Sequence, residues 1–246
     1  MKLTILGSGS SGNCYIIQDA NEAIVIEAGI RFKEVKCVLG YNLIKVAACL
    51  VSHEHGDHAG YFADFIDSSI PVYATQGTWD AIGTAQSSFA RVCIPGTAFA
   101  CGGFNVLPFD TKHDAAQPCG FLISHKDTGT ILFATDTYYL PYRFEHLSQI
   151  MIECNYIRGN LIENIRNGSV PDKVAKRVHR SHMELGTCID ALKANDLSEV
   201  RNIILLHLSR SNGDPVGMPK AVTAAIGRPV IVAKKNLTIN FNKEAF

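Results

Sequence analysis

A short cluster of metal-competent side chains, placed directly after an apolar run, limits what this chain can become. The run from Ala47 to Val51 predicts a buried strand, and it leads into the sequence S-H-E-H-G-D-H-A-G. Four ligand side chains fall within six residues: His53, His55, Asp57 and His58. Alternate side chains of an extended segment share a face, so His53 and His55 are expected to bind one cation. Asp57 and His58 follow at a glycine-flanked turn and are expected to face a second cation.

The alternative interpretation of this cluster is a polar, histidine-rich loop without a metal. Histidine is a common ligand of metals such as zinc, and carboxylate is its usual companion. Four such ligands in so short a span after a buried strand favour the two-cation site.

The overall composition is that of a globular protein, with 246 residues, 47% hydrophobic and 19% charged, and we expect a single domain over residues 1–246. Lys+Arg and Asp+Glu both number 23, so any polyanion must be held locally rather than by a global basic field.

The start of the chain lacks the long apolar core of a signal peptide, and no stretch approaches bilayer-spanning length. A cytoplasmic protein without a membrane partner is expected. The eight scattered cysteines form no C-x-x-C pair and are expected to be reduced packing residues.

The order of apolar and polar segments predicts an α/β protein whose second half is rich in paired strands. A helix is expected from Phe32 to Leu43, and S-x-x-E at Ser181 to Glu184 has the form of a capping box, which predicts that a helix begins there. The Gly/Ser loop at residues 7–13 either leaves backbone N–H groups free for an anion or is a plain tight hairpin. It lacks the G-x-x-x-x-G-K-[ST] pattern, so a P-loop is excluded.

Three further ligand candidates, His113, Asp136 and His207, each fall just past the end of a predicted strand. Loops at one edge of an α/β fold converge on a site, so these side chains are expected to meet the first cluster. We expect one metal to be bound by His53, His55 and His113, and the other by Asp57, His58 and His207, with Asp136 bridging both. His125, His146 and His179 lack this setting and are expected to be ordinary residues.

These residues resemble the metallo-β-lactamase superfamily over nearly the whole chain: H-x-H-x-D-H at 53–58, then His113, Asp136 and His207. Finer motifs are similar to the YycJ branch, also called WalJ or VicX, which is close to ribonuclease Z and related phosphodiesterases. They are GSGSSGN at 7–13, YATQGTW at 73–79, HDAA at 113–116, ATDT at 134–137 and HLS at 207–209. The resemblance implies an αββα sandwich of two mixed β-sheets flanked by helices, with the site at one edge, and makes a homodimer plausible.

The chain departs from the family pattern in two places. The family's first motif, I-D-A-G, is here Ile26-Glu27-Ala28-Gly29, so the contacts of that carboxylate must accommodate one more methylene. Residues 155–180 are divergent and are a candidate lid or substrate-access segment. Their basic side chains either follow a nucleic-acid backbone or form a solvated helix face: Lys173, Lys176, Arg177 and Arg180.

The mechanistic hypothesis is a two-metal hydrolysis. Two divalent cations, with zinc favoured and manganese or iron as alternatives, acidify a bridging water whose hydroxide is the nucleophile. His182 is expected at the start of a helix, whose partial positive charge would also favour a phosphate, and it would protonate the leaving group. The alternative is that His182 is a simple helix-start residue. By resemblance to ribonuclease Z-like enzymes, Glu153 orients His182. Asp57, His182 and Glu153 are thus the candidate catalytic residues, and Ser209 and Asn212 could bind a phosphate oxygen.

The function that these expectations favour is a phosphodiesterase acting on nucleic acid, like a DNA exonuclease. The substrate rests on the resemblance, because a fold alone does not name one. A phosphodiesterase of cyclic or other small nucleotides is the alternative, and thioester or lactone hydrolysis is a third possibility. Non-enzymatic binding is disfavoured because every expected ligand is present.

Overall fold

Two seven-stranded sheets form the centre of the computed structural model, which describes residues 1–83 and 87–244. From one edge to the other, the first sheet contains β14 (Leu237–Asn240), β1 (Lys2–Gly7), β2 (Cys14–Gln18), β3 (Ala23–Ile26), β4 (Val46–Leu50), β5 (Val72–Ala74) and β6 (Ala90–Val92). The second contains β13 (Ile231–Val232), β12 (Asn202–Leu206), β11 (Leu147–Glu153), β10 (Gly129–Ala134), β9 (Cys119–His125), β8 (Phe104–Asp110) and β7 (Phe99–Cys101). Both sheets are mixed, with parallel and antiparallel pairs.

Helices cover the outer faces of both sheets. In chain order, the helices of the described residues are α1 (Phe32–Val38), α2 (Gly56–Ala59), α3 (Phe62–Asp67), α4 (Gln76–Ile82), α5 (Arg158–Arg166), α6 (Asp172–Ser181), α7 (Leu185–Lys193) and α8 (Gly217–Ile226). One core cluster joins the first sheet to α1, α3 and α4, and another joins the second sheet to α7 and α8. The predicted αββα sandwich is therefore confirmed. Among the described residues, no helix has the length and apolarity needed to cross a bilayer.

The core between the two sheets explains the alternation along the strands. In β2, Tyr15 and Ile17 point to the cluster between the sheets, while Cys14 and Ile16 point to the helical layer. Both faces are buried, which is why the strand reads as a nearly continuous apolar run. The Tyr15 ring meets the edge of Phe133 from the opposite sheet at 5.4 Å between centroids, so aromatic side chains join the two layers.

Two helix predictions are wrong at their ends. α1 stops at Val38 rather than Leu43, because Gly40 and Tyr41 both adopt left-handed backbone conformations with φ of 62° and 61°. The helix predicted to begin at Ser181 instead begins at Leu185, where the Glu184 side chain accepts a hydrogen bond from the Gly186 N–H. Ser181 is instead the last residue of α6, the helix that carries Lys173, Lys176, Arg177 and Arg180, so these basic side chains do lie on a helix, as one of the two interpretations expected.

Candidate active site

Five chain segments bring polar side chains to one edge of the sandwich. Strands β8, β10, β11 and β12 run in the same direction, because β9 is antiparallel to both β8 and β10, whereas β10, β11 and β12 are parallel. Their carboxyl ends carry, in order, His113, Asp136, Glu153 and His207. The end of β4 approaches from the other sheet, and the backbone bond from Cys119 to Ser52 joins the two sheets there. The expected convergence at strand ends is thus present.

The first group of ring nitrogens comprises His53, His55 and His113. His55 Nδ1 lies 3.0 Å from His53 Nε2 and 3.2 Å from His113 Nε2. His113 Nδ1 lies 2.9 Å from the Ser181 carbonyl, to which it must donate, so in the neutral ring its Nε2 carries the lone pair. Three imidazoles that direct nitrogens at one another match the preference of a divalent metal for histidine ligands.

The second group comprises Asp57, His58 and His207. Asp57 Oδ2 lies 3.6 Å from His58 Nε2 and 3.8 Å from His207 Nε2. His207 Nε2 is buried and has no hydrogen-bond partner among the described residues. A buried polar atom without a partner costs free energy, so this nitrogen suits a ligand of a bound cation. The donor set and this unpartnered atom fit a divalent metal.

Asp136 lies between the two groups. Its Oδ2 is 3.5 Å from both His58 Nε2 and His113 Nε2 and 4.0 Å from His53 Nε2. Asp136 and His207 both have positive φ, 45° and 53°, where residues other than glycine are strained. Such strain is tolerated where surrounding structure enforces it, and it commonly marks functional sites.

The pKa shifts follow from burial and from the carboxylates. Burial, reinforced by the neighbouring His58, lowers the pKa of His53 well below its usual value, and burial also lowers the pKa of His113. Burial has the same tendency at His207, but Asp136, Asp57 and Glu153 outweigh it and raise the pKa of His207 to about 10. Burial would raise the pKa of Asp136, yet His207 and His58 hold it well below its usual range. The site is thus a buried anionic centre that a cation can neutralise in place of protons.

His182 and Glu153 form a pair beside these groups. His182 Nδ1 lies 2.7 Å from Glu153 Oε1, and the His182 ring stacks on His207 at 5.2 Å between centroids. The other Glu153 oxygen accepts hydrogen bonds from the backbone N–H groups of Thr137 and Met183, at 2.8 and 3.3 Å. The carboxylate is therefore fixed, and it directs the free Nε2 edge of the ring away from itself. The His182 side chain is 17% exposed and can be reached from solvent.

The position of His182 corrects one prediction. It is the C-cap residue of α6, not the first residue of a helix. The partial positive charge of a helix N-terminus is consequently absent at His182. Burial lowers the pKa of His182. The charge and the hydrogen bond of Glu153 raise it by more than burial lowers it, so the pKa lies above its usual value.

Comparison with known proteins agrees with this geometry. The family described as "Beta-lactamase superfamily domain" matches residues 23–208. The chain belongs to this superfamily. It is 27% identical to exodeoxyribonuclease YycJ of Bacillus anthracis over 224 residues, which are 86% of this chain and 84% of the relative. It is 28% identical to exodeoxyribonuclease WalJ of Streptococcus pneumoniae, with 86% and 82% coverage. The metallo-β-lactamase fold protein YhfI from Bacillus subtilis superposes with a TM-score of 0.72 at 17% identity, with 97% and 98% coverage. The chain is a metal-dependent hydrolase of this superfamily.

Glu27, at the position where the family resemblance led us to expect aspartate, lies behind the candidate ligand His58. Its side chain is fully buried, with Oε1 3.4 Å from His58 Nδ1 and Oε2 accepting a hydrogen bond from the Ser52 N–H at 3.3 Å. Its φ of 67° bends the chain at the end of β3. The longer carboxylate therefore lies within ion-pair distance of the far nitrogen of a candidate ligand, although neither of these two atoms has a hydrogen-bond partner among the described residues.

The Gly/Ser loop is also part of this support. Asn13 is fully buried, its backbone N–H donates to the Asp57 carbonyl at 2.8 Å, and its amide nitrogen lies 3.0 Å from His58 Nε2. Gly29 packs so closely that a Cβ there would lie 1.8 Å from the Asp57 carbonyl oxygen. The Gly/Ser motif is visible in the sequence, but its contact with Asp57, 44 residues after Asn13, is not.

Ser209 and Asn212 lie at a cleft of about 360 Å³ that is also lined by the Gly/Ser loop, His182 and His207. Asn212 is buried, and its Oδ1 accepts a hydrogen bond from Asn164 of α5 at 2.8 Å. The Ser209 hydroxyl accepts from the Asn212 N–H at 3.2 Å. Both residues thus face the site, although Asn212 also fastens α5 to this loop. His125 lies away from the site, beside Glu22.

Proposed function

We propose that this hydrolase is a two-metal phosphodiesterase that cleaves nucleic acid in the manner of a DNA exonuclease. The observation that carries the proposal is the fixed pair of His182 and Glu153, beside two adjoining groups of metal-competent side chains. Hydrolysis of a phosphodiester needs charge neutralisation at phosphate and a proton for the leaving oxygen. The relatives named exodeoxyribonuclease, which align with 86% of the chain, support nucleic acid as the substrate.

We assign one metal position to His53, His55 and His113 and the other to Asp57, His58 and His207, with Asp136 facing both. When bound, two divalent cations supply an acidified water and neutralise the charge of the phosphate. Imidazole and carboxylate ligands favour zinc, and manganese and iron accept the same donors. The buried carboxylates and the unpartnered His207 nitrogen support this assignment.

His182 acts as the general acid in this proposal. Its Nδ1 is engaged by Glu153, so Nε2 is the atom that delivers a proton to the leaving oxygen. Glu153 is a positioning residue that fixes the ring and keeps it protonated. Ser209 is proposed to donate its hydroxyl to a phosphate oxygen, and Asn212 its amide N–H groups.

The access segment at residues 155–180 is proposed to act as a lid, because α6 carries His182 at its end. Arg177 Nε and Ser181 Oγ both donate to the Asp114 carboxylate, at 2.7 and 2.8 Å, immediately after His113. The lid is thereby tied to the segment that carries a proposed metal ligand.

A phosphodiesterase of cyclic or other small nucleotides is the second candidate, because the chain has no net charge to attract a polymer. Thioester hydrolysis is disfavoured, since a thiolate is stable as an anion and makes less use of the His182 and Glu153 pair than an alkoxide does.

The test is to purify the protein, quantify bound metal, and assay it on single-stranded DNA, duplex DNA, RNA, cyclic mononucleotides and a thioester. We expect metal-dependent cutting of a polynucleotide. Turnover of cyclic nucleotides alone would preserve the site assignment and refute the polymer substrate. Cleavage of only the thioester would refute the phosphodiesterase.

Replacing Glu153 with glutamine is expected to move the alkaline limb of the pH–activity profile to lower pH. A general acid works while protonated, so activity is lost as pH rises through its pKa. Glu153 raises the pKa of His182, and the neutral amide removes that negative charge. The measurement is kcat against pH on the preferred substrate, with Glu163→Gln on the exposed face of α5 as the control. An unchanged alkaline limb would show that His182 does not titrate in this step.

A further inference from the structure

A second cavity opens beside His182, distinct from the cleft at the Gly/Ser loop. It has a volume of about 640 Å³, within the range of small-molecule sites, and we call it the tyrosine groove. Its lining includes Tyr138, Tyr139, Tyr156, Arg158, Arg180 and His182. The two cavities share His182, so a ligand in the tyrosine groove lies next to the proposed proton donor.

Tyr138 and Tyr139 present large rings to solvent, with exposed fractions of 43% and 51%. They follow Asp136 by two and three residues, on a loop whose backbone is fixed. The Tyr138 N–H donates to the Lys112 carbonyl at 3.1 Å, and the Thr137 hydroxyl donates to the Tyr139 carbonyl at 2.9 Å. Exposed aromatic rings on a rigid backbone beside a reaction centre are suited to stacking on a ligand, because little side-chain freedom is lost.

The charges around the groove favour an anion. Arg158 and Arg180 are exposed, and neither has a carboxylate partner in the part of the chain that the structure describes. Glu184 is the acidic residue of the lining, and one of its oxygens is already bound by the Gly186 N–H at 2.7 Å. Tyr156 closes the buried side, with its hydroxyl 2.9 Å from His179 Nδ1. Two guanidinium groups against one carboxylate give a locally basic groove on a chain without net charge.

We propose that the tyrosine groove binds an unpaired nucleotide adjoining the cut phosphodiester of single-stranded nucleic acid. Tyr138 and Tyr139 stack on the base, and Arg158 and Arg180 neutralise the flanking phosphate. Stacking on a base requires that the base leave its partner strand, so the ligand of the groove is an unpaired nucleotide. This inference rests on the proposed function, because it assigns a substrate class to the same site.

The test is a binding measurement on the metal-loaded protein, by fluorescence anisotropy with a short labelled oligothymidylate made resistant to cutting by phosphorothioate linkages. An abasic strand of the same length and charge is the comparison. We expect the base-bearing strand to bind at least about fivefold more tightly than the abasic strand, the lower end of what one stacked base contributes. Equal affinities for the two strands would overturn the proposal.

Variants separate stacking from charge. A Tyr138→Ala/Tyr139→Ala double variant is expected to lose the preference for bases, while Tyr138→Phe/Tyr139→Phe keeps it. Tyr41→Ala, at an exposed tyrosine outside the groove, is the matched control. Arg158→Ala and Arg180→Ala are each expected to weaken both strands and to reduce the salt dependence of log K by about 0.7. Preference retained in the double alanine variant would refute the groove.

Cutting assays on the same samples keep the two proposals distinguishable. If the enzyme cuts polynucleotide but binds abasic and base-bearing strands equally, the nuclease stands and the tyrosine groove is refuted. If the protein binds bases through the tyrosines but cuts no polymer, the groove is supported and the nuclease assignment fails.

Discussion

Replacement of Asp136 with alanine is expected to remove bound metal and to lower phosphodiesterase activity by about 10³-fold or more. Its carboxylate lies within 4.0 Å of ring nitrogens from His53, His58 and His113, so both proposed metal positions lose a charge at once. Metal catalysis contributes several kcal/mol of charge stabilisation, and each 1.4 kcal/mol is about tenfold in rate. The measurement is metal content per chain together with kcat/KM.

Asp136→Asn is the second variant of this test. Asparagine keeps the volume and tolerates the left-handed backbone at this position, where φ is 45°. A well-folded Asp136→Asn protein, checked by circular dichroism, isolates the loss of charge from a loss of fold. Asp64→Ala, at an exposed aspartate of α3, should leave metal content and activity unchanged. Full metal content in Asp136→Asn would contradict a shared carboxylate.

The convergence at the sheet edge was predictable because it depends on chain direction and on local patterns. His113, Asp136 and His207 each follow an apolar run, and parallel strands place such positions at one edge. The four ligands after β4 were visible for the same reason, since an apolar strand that stops at ligand residues is a local signal.

The position of His182 was not predictable in the same way. Ser181 to Glu184 has the composition of a capping box, but the Ser181 hydroxyl instead donates to Asp114, 67 residues away, at 2.8 Å. Tertiary contact overrides local capping chemistry there, and Glu184 caps the next helix. The polar composition of α5 conceals a helix and leaves the bounds of α6 undefined, because the buried side chains of these helices, such as Leu161 and Ala175, form only a small cluster.

Residues that act from behind the site gave little sequence signal. Asn13 and Glu27 each belong to a motif that the sequence shows. Their contacts with His58, however, join segments that are distant in the sequence and meet only in the folded protein. Tyr138 and Tyr139 gave none, because two tyrosines after a strand are equally consistent with packing. Exposure and a rigid loop beside the site identify them, and both are properties of the folded chain.

His182→Ala is expected to retain its metal and yet to cut DNA about 10²- to 10⁴-fold more slowly, which is the usual contribution of a general acid. The side chain lies outside the two groups assigned to metal, although it is also near Asp136, Glu153 and His207 in a third possible ligand group. Metal content therefore decides between the two roles. A loss of metal in His182→Ala would make the residue a ligand rather than a proton donor.

The leaving group provides the sharper test of this role. A nucleotide alkoxide needs a proton as it departs, whereas p-nitrophenolate is stable as an anion and needs none. His182→Ala should consequently lose far more activity on DNA than on bis(p-nitrophenyl) phosphate. The control His146→Ala, at an exposed histidine elsewhere, should keep its activity on both substrates. Equal losses on both substrates with metal retained would mean that His182 serves to shape the site. A selective loss on DNA would place proton delivery at His182, the residue that ends α6.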